Sequence, residues 1–169
     1  MLFVFVEGPD DERFFTSVYG NYFKDFKFIQ YAGWNLVKIN NFVRSIKCME
    51  NSDYLFFGDA DGKSIEEKAH ILKERYPNID ENKAYVVQYE IESWYYAGLS
   101  SYNCQKLKLK QYVYNTNDLT KEQFNAKLPK KADRRIVMAE ILKMYEMDLA
   151  LLRNTSLLQF NSSMTKESA

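Results

Sequence analysis

Tyr54-Leu55-Phe56-Phe57-Gly58-Asp59-Ala60-Asp61-Gly62-Lys63 is the stretch on which the reading of the fold turns. Its apolar start, residues 54–58, predicts a buried strand that stops at a glycine followed by two carboxylates one residue apart. Side chains at i and i+2 of an extended segment point the same way. Extension past Gly58 therefore puts Asp59 and Asp61 on one face, at the strand's C-terminal end. In open α/β sheets that edge is where ligands bind. Two close carboxylates repel unless a cation lies between them, and their hard oxygens suit Mg²⁺ or Mn²⁺. An acidic strand-to-helix turn whose aspartates cap the next helix accounts for the same pair. The rest of the chain has to decide between the two.

Outward toward the N-terminus, Leu2-Phe3-Val4-Phe5-Val6 is a continuous β-prone run, as in a strand covered on both faces. Glu7-Gly8-Pro9 ends it. A helix is predicted over 10–23, with Asp10, Asp11 and Glu12 in the first turn, where the helix dipole favours acids. Phe14, Phe15, Val18, Tyr19 and Tyr22 form its apolar stripe. Residues 26–31 predict a second strand and 35–49 a helix, with Leu36, Ile39, Phe42, Val43 and Ile46 on one side. Toward the C-terminus, Ser64-Ile65-Glu66-Glu67 reads as a capping box opening a helix over 64–75, which Pro77-Asn78 ends. Residues 84–89 predict a fourth strand, with Glu90-Ile91-Glu92-Ser93-Trp94 following at once. Alternating strand and helix through residue 97 predicts a parallel sheet with right-handed crossovers.

Carboxylates thus follow three predicted strands: Glu7, then Asp59 with Asp61, then Glu90 with Glu92. Helix capping alone does not require an acid after every strand. Their convergence needs strands 1, 3 and 4 to be neighbours, which favours the order 2-1-3-4 with a crevice between strands 1 and 3. The fold expected is α/β and Rossmann-like, a four-stranded parallel sheet with helices on both faces and a mainly helical C-terminal extension.

In that extension, residues 105–114 alternate Lys106, Lys108 and Lys110 with Leu107 and Leu109, which predicts a short strand or an extended basic arm. Helices are expected over 120–127, capped at Asp118 or Thr120, and over 130–145, with Ile136, Val137, Ile141 and Leu142 inward. Helical turns close the chain at 148–153 and 156–164, and fraying is expected from Thr165. The chain holds 23 basic and 23 acidic side chains, but they are unevenly spread. Residues 50–92 carry 11 acids against 5 bases, a net of −6, and residues 99–143 carry 10 bases against 4 acids, a net of +6. An acidic site beside a basic surface suits a metal centre acting on a polyanion, DNA or RNA; solvated helix faces give the same pattern.

On the polyanion reading, Lys63, Lys106, Lys108, Lys110, Lys131, Arg134 and Arg135 are the candidate phosphate contacts. Tyr112, Tyr114 or Trp94 either stack bases or fill the core. Cys48 and Cys104 have neither metal-ligand spacing nor a disulfide framework, which fits a reducing cytoplasm. His70, the only histidine, lies in a charged helical stretch, so histidine-based catalysis is not expected. The 2–6 run is too short for a signal peptide or a membrane span, and a soluble, cytoplasmic protein without membrane contact is expected.

Val6-Glu7-Gly8-Pro9-Asp10-Asp11-Glu12-Arg13-Phe14-Phe15 and Gly58-Asp59-Ala60-Asp61-Gly62 resemble the glutamate and Asp-x-Asp motifs of the TOPRIM fold. That fold is shared by topoisomerases, primases and a group of small or ATPase-linked nucleases. Glu90-Ile91-Glu92-Ser93-Trp94-Tyr95-Tyr96-Ala97 is similar to the OLD-family (overcoming lysogenization defect) branch, in which an acidic pair runs into a tryptophan-bearing helix. Leu128-Pro129-Lys130 and Asn154-Thr155-Ser156-Leu157-Leu158-Gln159-Phe160 are similar to that group's C-terminal segments. The resemblance covers residues 1–97 and extends loosely beyond them.

The resemblance implies a TOPRIM-like core over 1–97 and a basic helical extension over 98–169 packed on it, one domain overall. It also implies phosphodiester cleavage with Mg²⁺ or Mn²⁺, two ions in all. By position, Glu7 is the acid/base or metal-bridging glutamate and Asp59 and Asp61 are metal ligands. Asp11 matches a second acidic position, and Glu90 or Glu92 completes the shell. Lys130 is the candidate for a lysine near the scissile phosphate, with Lys63 in reserve. The chain has no ATPase motif, so any ATPase would be a separate partner chain. The alternatives are a non-catalytic module of the same fold that binds nucleic acid or a partner protein, and a nucleotide-binding regulatory domain.

Overall fold

A computed structural model describes residues 1–23 and 25–167, without the side chains of 165–167. Fraying was expected over 165–169; residues 165–167 belong instead to the last helix, and 168 and 169 lie outside the described range. The chain divides into two compact units, 1–87 and 88–169. Residues 90–97, which the strand–helix alternation groups with the sheet, therefore belong to the second unit.

The first unit is built on strands β1 (Leu2–Val6), β2 (Phe26–Gln30), β3 (Asp53–Asp59) and β4 (Ala84–Val87), all parallel, in the expected order β2-β1-β3-β4. Helices α1 (Pro9–Tyr19), α2 (Leu36–Lys47) and α3 (Ile65–Arg75) connect them. Pro9 at the first helical position loses no hydrogen bond and pre-sets φ for α1. The Asn35 carboxamide accepts the Lys38 N–H at 2.8 Å and the Ser64 hydroxyl accepts the Glu67 N–H at 3.0 Å, capping α2 and α3. Helix α1 stops earlier than its apolar stripe suggests, because the N–H groups of Tyr22 and Phe23 both return to the Tyr19 carbonyl. Tyr22 is left exposed.

Strand alternation sorts the core. Phe3, Phe5, Tyr54 and Phe56 share one cluster with Ile39, Val43 and Ile46 of α2 and with Leu72 of α3. Phe57 falls on the opposite face, where Phe15 of α1 packs on it at 4.3 Å between ring centroids. Helices therefore cover both faces, and each fully buried aromatic contributes on the order of 1.5–3 kcal/mol.

The second unit comprises α4 (Glu92–Ala97), α5 (Ser101–Lys106), α6 (Lys121–Lys127), α7 (Arg134–Lys143), α8 (Met147–Arg153) and α9 (Thr155–Glu167). Two expectations are corrected here. Residues 105–114 form no strand: Lys106 ends α5, and Lys108 and Gln111 take left-handed φ values of 57° and 50°, which break any extension. Helix α7 starts at Arg134, not near 130, because the Asp133 carboxylate accepts the Arg135 N–H at 2.8 Å and Lys131 is left-handed at φ 65°. The buried face of α7 is Val137, Met138 and Ile141, while Ile136 is 63% exposed. Of the two caps considered for α6, Thr120 is the one used, paired reciprocally with Gln123.

Arg153 organises this unit. Its side chain is 2% exposed, and its guanidinium donates to the carbonyls of Tyr114 (2.6 Å), Ala97 (2.8 Å), Leu99 and Val113. Beside it, the Ser156 hydroxyl accepts from the Trp94 indole at 2.8 Å and from the Gln88 N–H at 3.1 Å. The Asn154 carboxamide links Ser93, Thr116 and Ser156. Among the described residues no helix is long and apolar enough to cross a membrane.

Candidate functional site

The exits of β1, β2 and β3 meet at the C-terminal edge of the sheet. Glu7, one residue past β1, accepts the Asp59 N–H at 3.1 Å through Oε1. The Tyr31 hydroxyl, one residue past β2, donates to the Phe57 carbonyl at 2.7 Å and lies 3.3 Å from the same Glu7 oxygen. Gly58 leaves room beside this contact for Leu72, whose methyls a Cβ would meet at 3.2 and 3.3 Å, while the Tyr31 hydroxyl at 3.6 Å would stay at ordinary contact distance. Burial pushes the Tyr31 phenol well above its ordinary pKa, and Glu7, Tyr76, Asp59 and Asp11 push it further the same way. Tyr31 therefore stays a neutral donor. Sequence reading missed it. The available signal was its position, at the end of β2 beside strands that end in carboxylates.

Asp59 ends β3 and falls by alternation on the Phe57 side. Asp61 does not share its face. Ala60 is buried and its N–H bonds the Val87 carbonyl at 2.9 Å, which draws the chain inward, and Asp61 then turns left-handed at φ 52°. The i, i+2 argument fails because extension stops at Asp59. The Asp61 carboxylate instead meets the Lys68 ammonium at 2.7 Å. Asp11, 5% exposed, accepts the Gly8 N–H at 3.0 Å and so closes the start of α1. A cleft of about 250 Å³ opens at this edge, lined by Glu7, Tyr31, Trp34, Asp61, Lys68 and Arg75 among others. Among the described residues no three histidine, cysteine, aspartate or glutamate side chains are grouped so as to hold a metal ion.

Glu90 and Glu92 lie in the second unit, where both are engaged. Glu90 accepts the Lys121 N–H at 2.8 Å, at the start of α6. Glu92 is 2% exposed, paired with Arg134 and 3.9 Å from the Lys121 ammonium. Burial raises the Glu92 carboxyl above its usual pKa, against the opposing pull of Lys121 and Arg134. Arg134 also donates to Asn125 at 2.9 Å. Lys63, Lys106, Lys108, Lys110, Lys130, Lys131 and Arg135 are exposed. Trp94 is fully buried, so it serves the core and not a stacking surface, whereas Tyr112 and Tyr114 are exposed against the Arg153 guanidinium.

Comparison of this chain with protein-family models, with curated proteins and with solved structures finds no match.

Proposed function

We propose that the protein is a divalent-metal-dependent phosphodiesterase acting on nucleic acid, with its site at the sheet edge formed by Glu7, Asp59 and Asp61. The observation that carries this reading is the bond between the Glu7 carboxylate and the Asp59 backbone N–H. It sets acidic residues from two adjacent parallel strands side by side at the switch point, where α/β sheets take their ligands. The resemblance of the same residues to TOPRIM motifs supports it.

Carboxylate oxygens of Glu7, Asp59 and the half-exposed Asp61 are the donor type that Mg²⁺ or Mn²⁺ takes, although among the described residues they are not gathered into a metal-holding group. Asp61 would join the others only by leaving Lys68 and by a change of the left-handed backbone that turns it from the Asp59 face. When bound, the metal would supply a more acidic water and charge stabilisation at the phosphoryl group. The protein's own part is to hold Glu7 and Asp59 together through the Tyr31 hydroxyl and the Asp59 amide, and to neutralise flanking phosphates with exposed lysines. Lys68, once released from Asp61, adds a positive charge at the cleft.

One observation favours the non-catalytic alternative, a nucleic-acid-binding module: Asp61 is already neutralised by Lys68. The two readings separate when the purified chain is incubated with labelled single- and double-stranded DNA and RNA in Mg²⁺, Mn²⁺ or EDTA. Phosphodiesterase activity is expected with metal and not with EDTA, and Asp59→Asn or Glu7→Gln is expected to lower it at least about a hundredfold. Binding without cleavage in either metal supports the module. Cleavage that survives both substitutions rules out this edge as the site.

A further inference from the structure

The second unit contains a cavity of about 530 Å³ where residues 110–119 fold against α6, within the size range of small-molecule sites. The Lys110 N–H bonds the Lys127 carbonyl at 2.8 Å, and the Lys127 ammonium bonds the Gln111 carbonyl at 3.0 Å. Lys127, at the end of α6, is 8% exposed and lines the cavity. Its ammonium also lies 5.8 Å from the centroid of the Tyr96 ring. Among the described residues it has no ion pair. The ammonium is part-buried and its hydrogen-bond partner is a neutral carbonyl, so an anion in the cavity would be attracted to it. Burial lowers the pKa of this amine.

The other lining groups complete an anion site. Lys110 supplies a second cation, and Asp118 is the single acid of the lining. The Asn115 Oδ1 accepts the Asn117 N–H at 2.9 Å and the Gln123 Oε1 accepts the Thr120 N–H at 3.1 Å. Those bonds fix both amides with their oxygens occupied, which leaves the NH₂ ends as donors. Two ammonium groups carry twice the charge of a carboxylate, whose two oxygens could also accept four hydrogen bonds, so charge is what selects the ligand. The two cations match a phosphate monoester, which offers three oxygens and nearly two charges.

We propose that this cavity binds the phosphate of a small phosphorylated ligand, with Lys127 and Lys110 as its cations and Asn115 and Gln123 as its amide donors. Asp118 then accepts from a hydroxyl or amine on the rest of the ligand. None of its lining residues belongs to the sheet edge, and Lys110 alone is shared with the lysines named above as phosphate contacts.

The test is calorimetric titration of the full chain in EDTA with inorganic phosphate, with AMP, and with a dinucleotide whose only phosphate is an internal diester. AMP is expected to bind, inorganic phosphate to compete with it, and the diester to bind more weakly. Lys110→Ala and Lys127→Met should each weaken AMP by about 10- to 100-fold, whereas Glu7→Gln should leave AMP binding unchanged even where cleavage is lost. Acetic anhydride labelling of wild type, read by peptide mass, decides the matter should Lys127→Met fail to fold. Saturating AMP is expected to protect Lys127 severalfold. Absence of AMP binding, a diester bound as tightly as AMP, or Lys127 labelling unchanged by AMP overturns the proposal.

Discussion

The two units are held together by different physics. Residues 1–87 form a sheet whose alternating aromatic and aliphatic side chains are sorted onto two helix-covered faces. Residues 88–169 are short helices and turns whose apolar core, with Trp94, Phe124, Ile141 and Phe160, encloses a network of buried polar groups: Arg153 on backbone carbonyls, and Asn154 and Ser156 joining Ser93, Thr116 and Trp94. An apolar core tolerates exchange of one hydrophobe for another of similar volume. A buried polar network does not, because each lost donor leaves a buried acceptor unmet. The first unit is therefore expected to be plastic at its core and constrained at its functional edge, and the second to be brittle at its centre.

Arg153→Met is the most direct way to break that contrast. It keeps an unbranched stem but removes every bond to the carbonyls of Ala97, Leu99, Val113 and Tyr114, and a loss of about 3 kcal/mol or more is expected. Hydrogen exchange read by peptide mass should show protection lost in 88–169. Arg153→Lys should rescue little, since an ammonium lacks the planar fork that spans several acceptors. A variant as stable as wild type would show that the second unit does not depend on the guanidinium.

The same substitution made in each unit sharpens the comparison. In Gly98→Ala the new methyl meets the Tyr145 ring at 2.4 Å, and Tyr145 is tethered by its hydroxyl to the Trp94 carbonyl at 2.9 Å. A loss of about 1–3 kcal/mol is expected in denaturant unfolding. In Gly58→Ala the nearest atoms are Leu72 methyls at 3.2 and 3.3 Å, which can rotate away, and about 1 kcal/mol or less is expected. Its larger effect should be functional, because the displaced Leu72 lines the cleft. Equal losses in the two variants would remove the distinction between yielding methyl groups in the first unit and a hydrogen-bond-tethered ring in the second.

The smallest effect concerns pH. Glu92 has its folded pKa raised, chiefly by burial. The folded state then holds its proton to higher pH than the unfolded chain, so this contribution is fully present below the ordinary glutamate pKa. It is lost as pH rises through the folded value. Glu92→Gln should flatten that part of the stability–pH curve in melts taken from pH 4 upward. An unchanged curve would mean that Arg134 and Lys121 fully offset the burial of Glu92.

Much of the first unit was legible because its signals are local. The 2–6 and 54–58 runs, the Ser64 capping box and the strand-end carboxylates each lie within a few residues, and together they favoured the observed strand order. The Asp61 placement was not legible, since whether extension continues past Gly58 depends on Ala60 bonding Val87, 27 positions away. In the second unit, alternating lysine and leucine over 105–110 imitated a strand, while the true organiser was one arginine binding carbonyls 39 to 56 positions distant. Backbone carbonyls are the same at every residue, so nothing in the sequence marks which of them a guanidinium will take.

By itself, then, the sequence determined the parallel sheet, its order, the helices on both faces and the carboxylates at the strand ends, because period, capping and turn chemistry act between near neighbours. The tertiary structure alone decided that Asp61 pairs with Lys68, that Glu90 and Glu92 serve α6 and α7, and that Lys127 is buried beside a cavity. Each of those outcomes depends on which distant groups share a poorly solvated space, and that is set only once the chain has closed on itself.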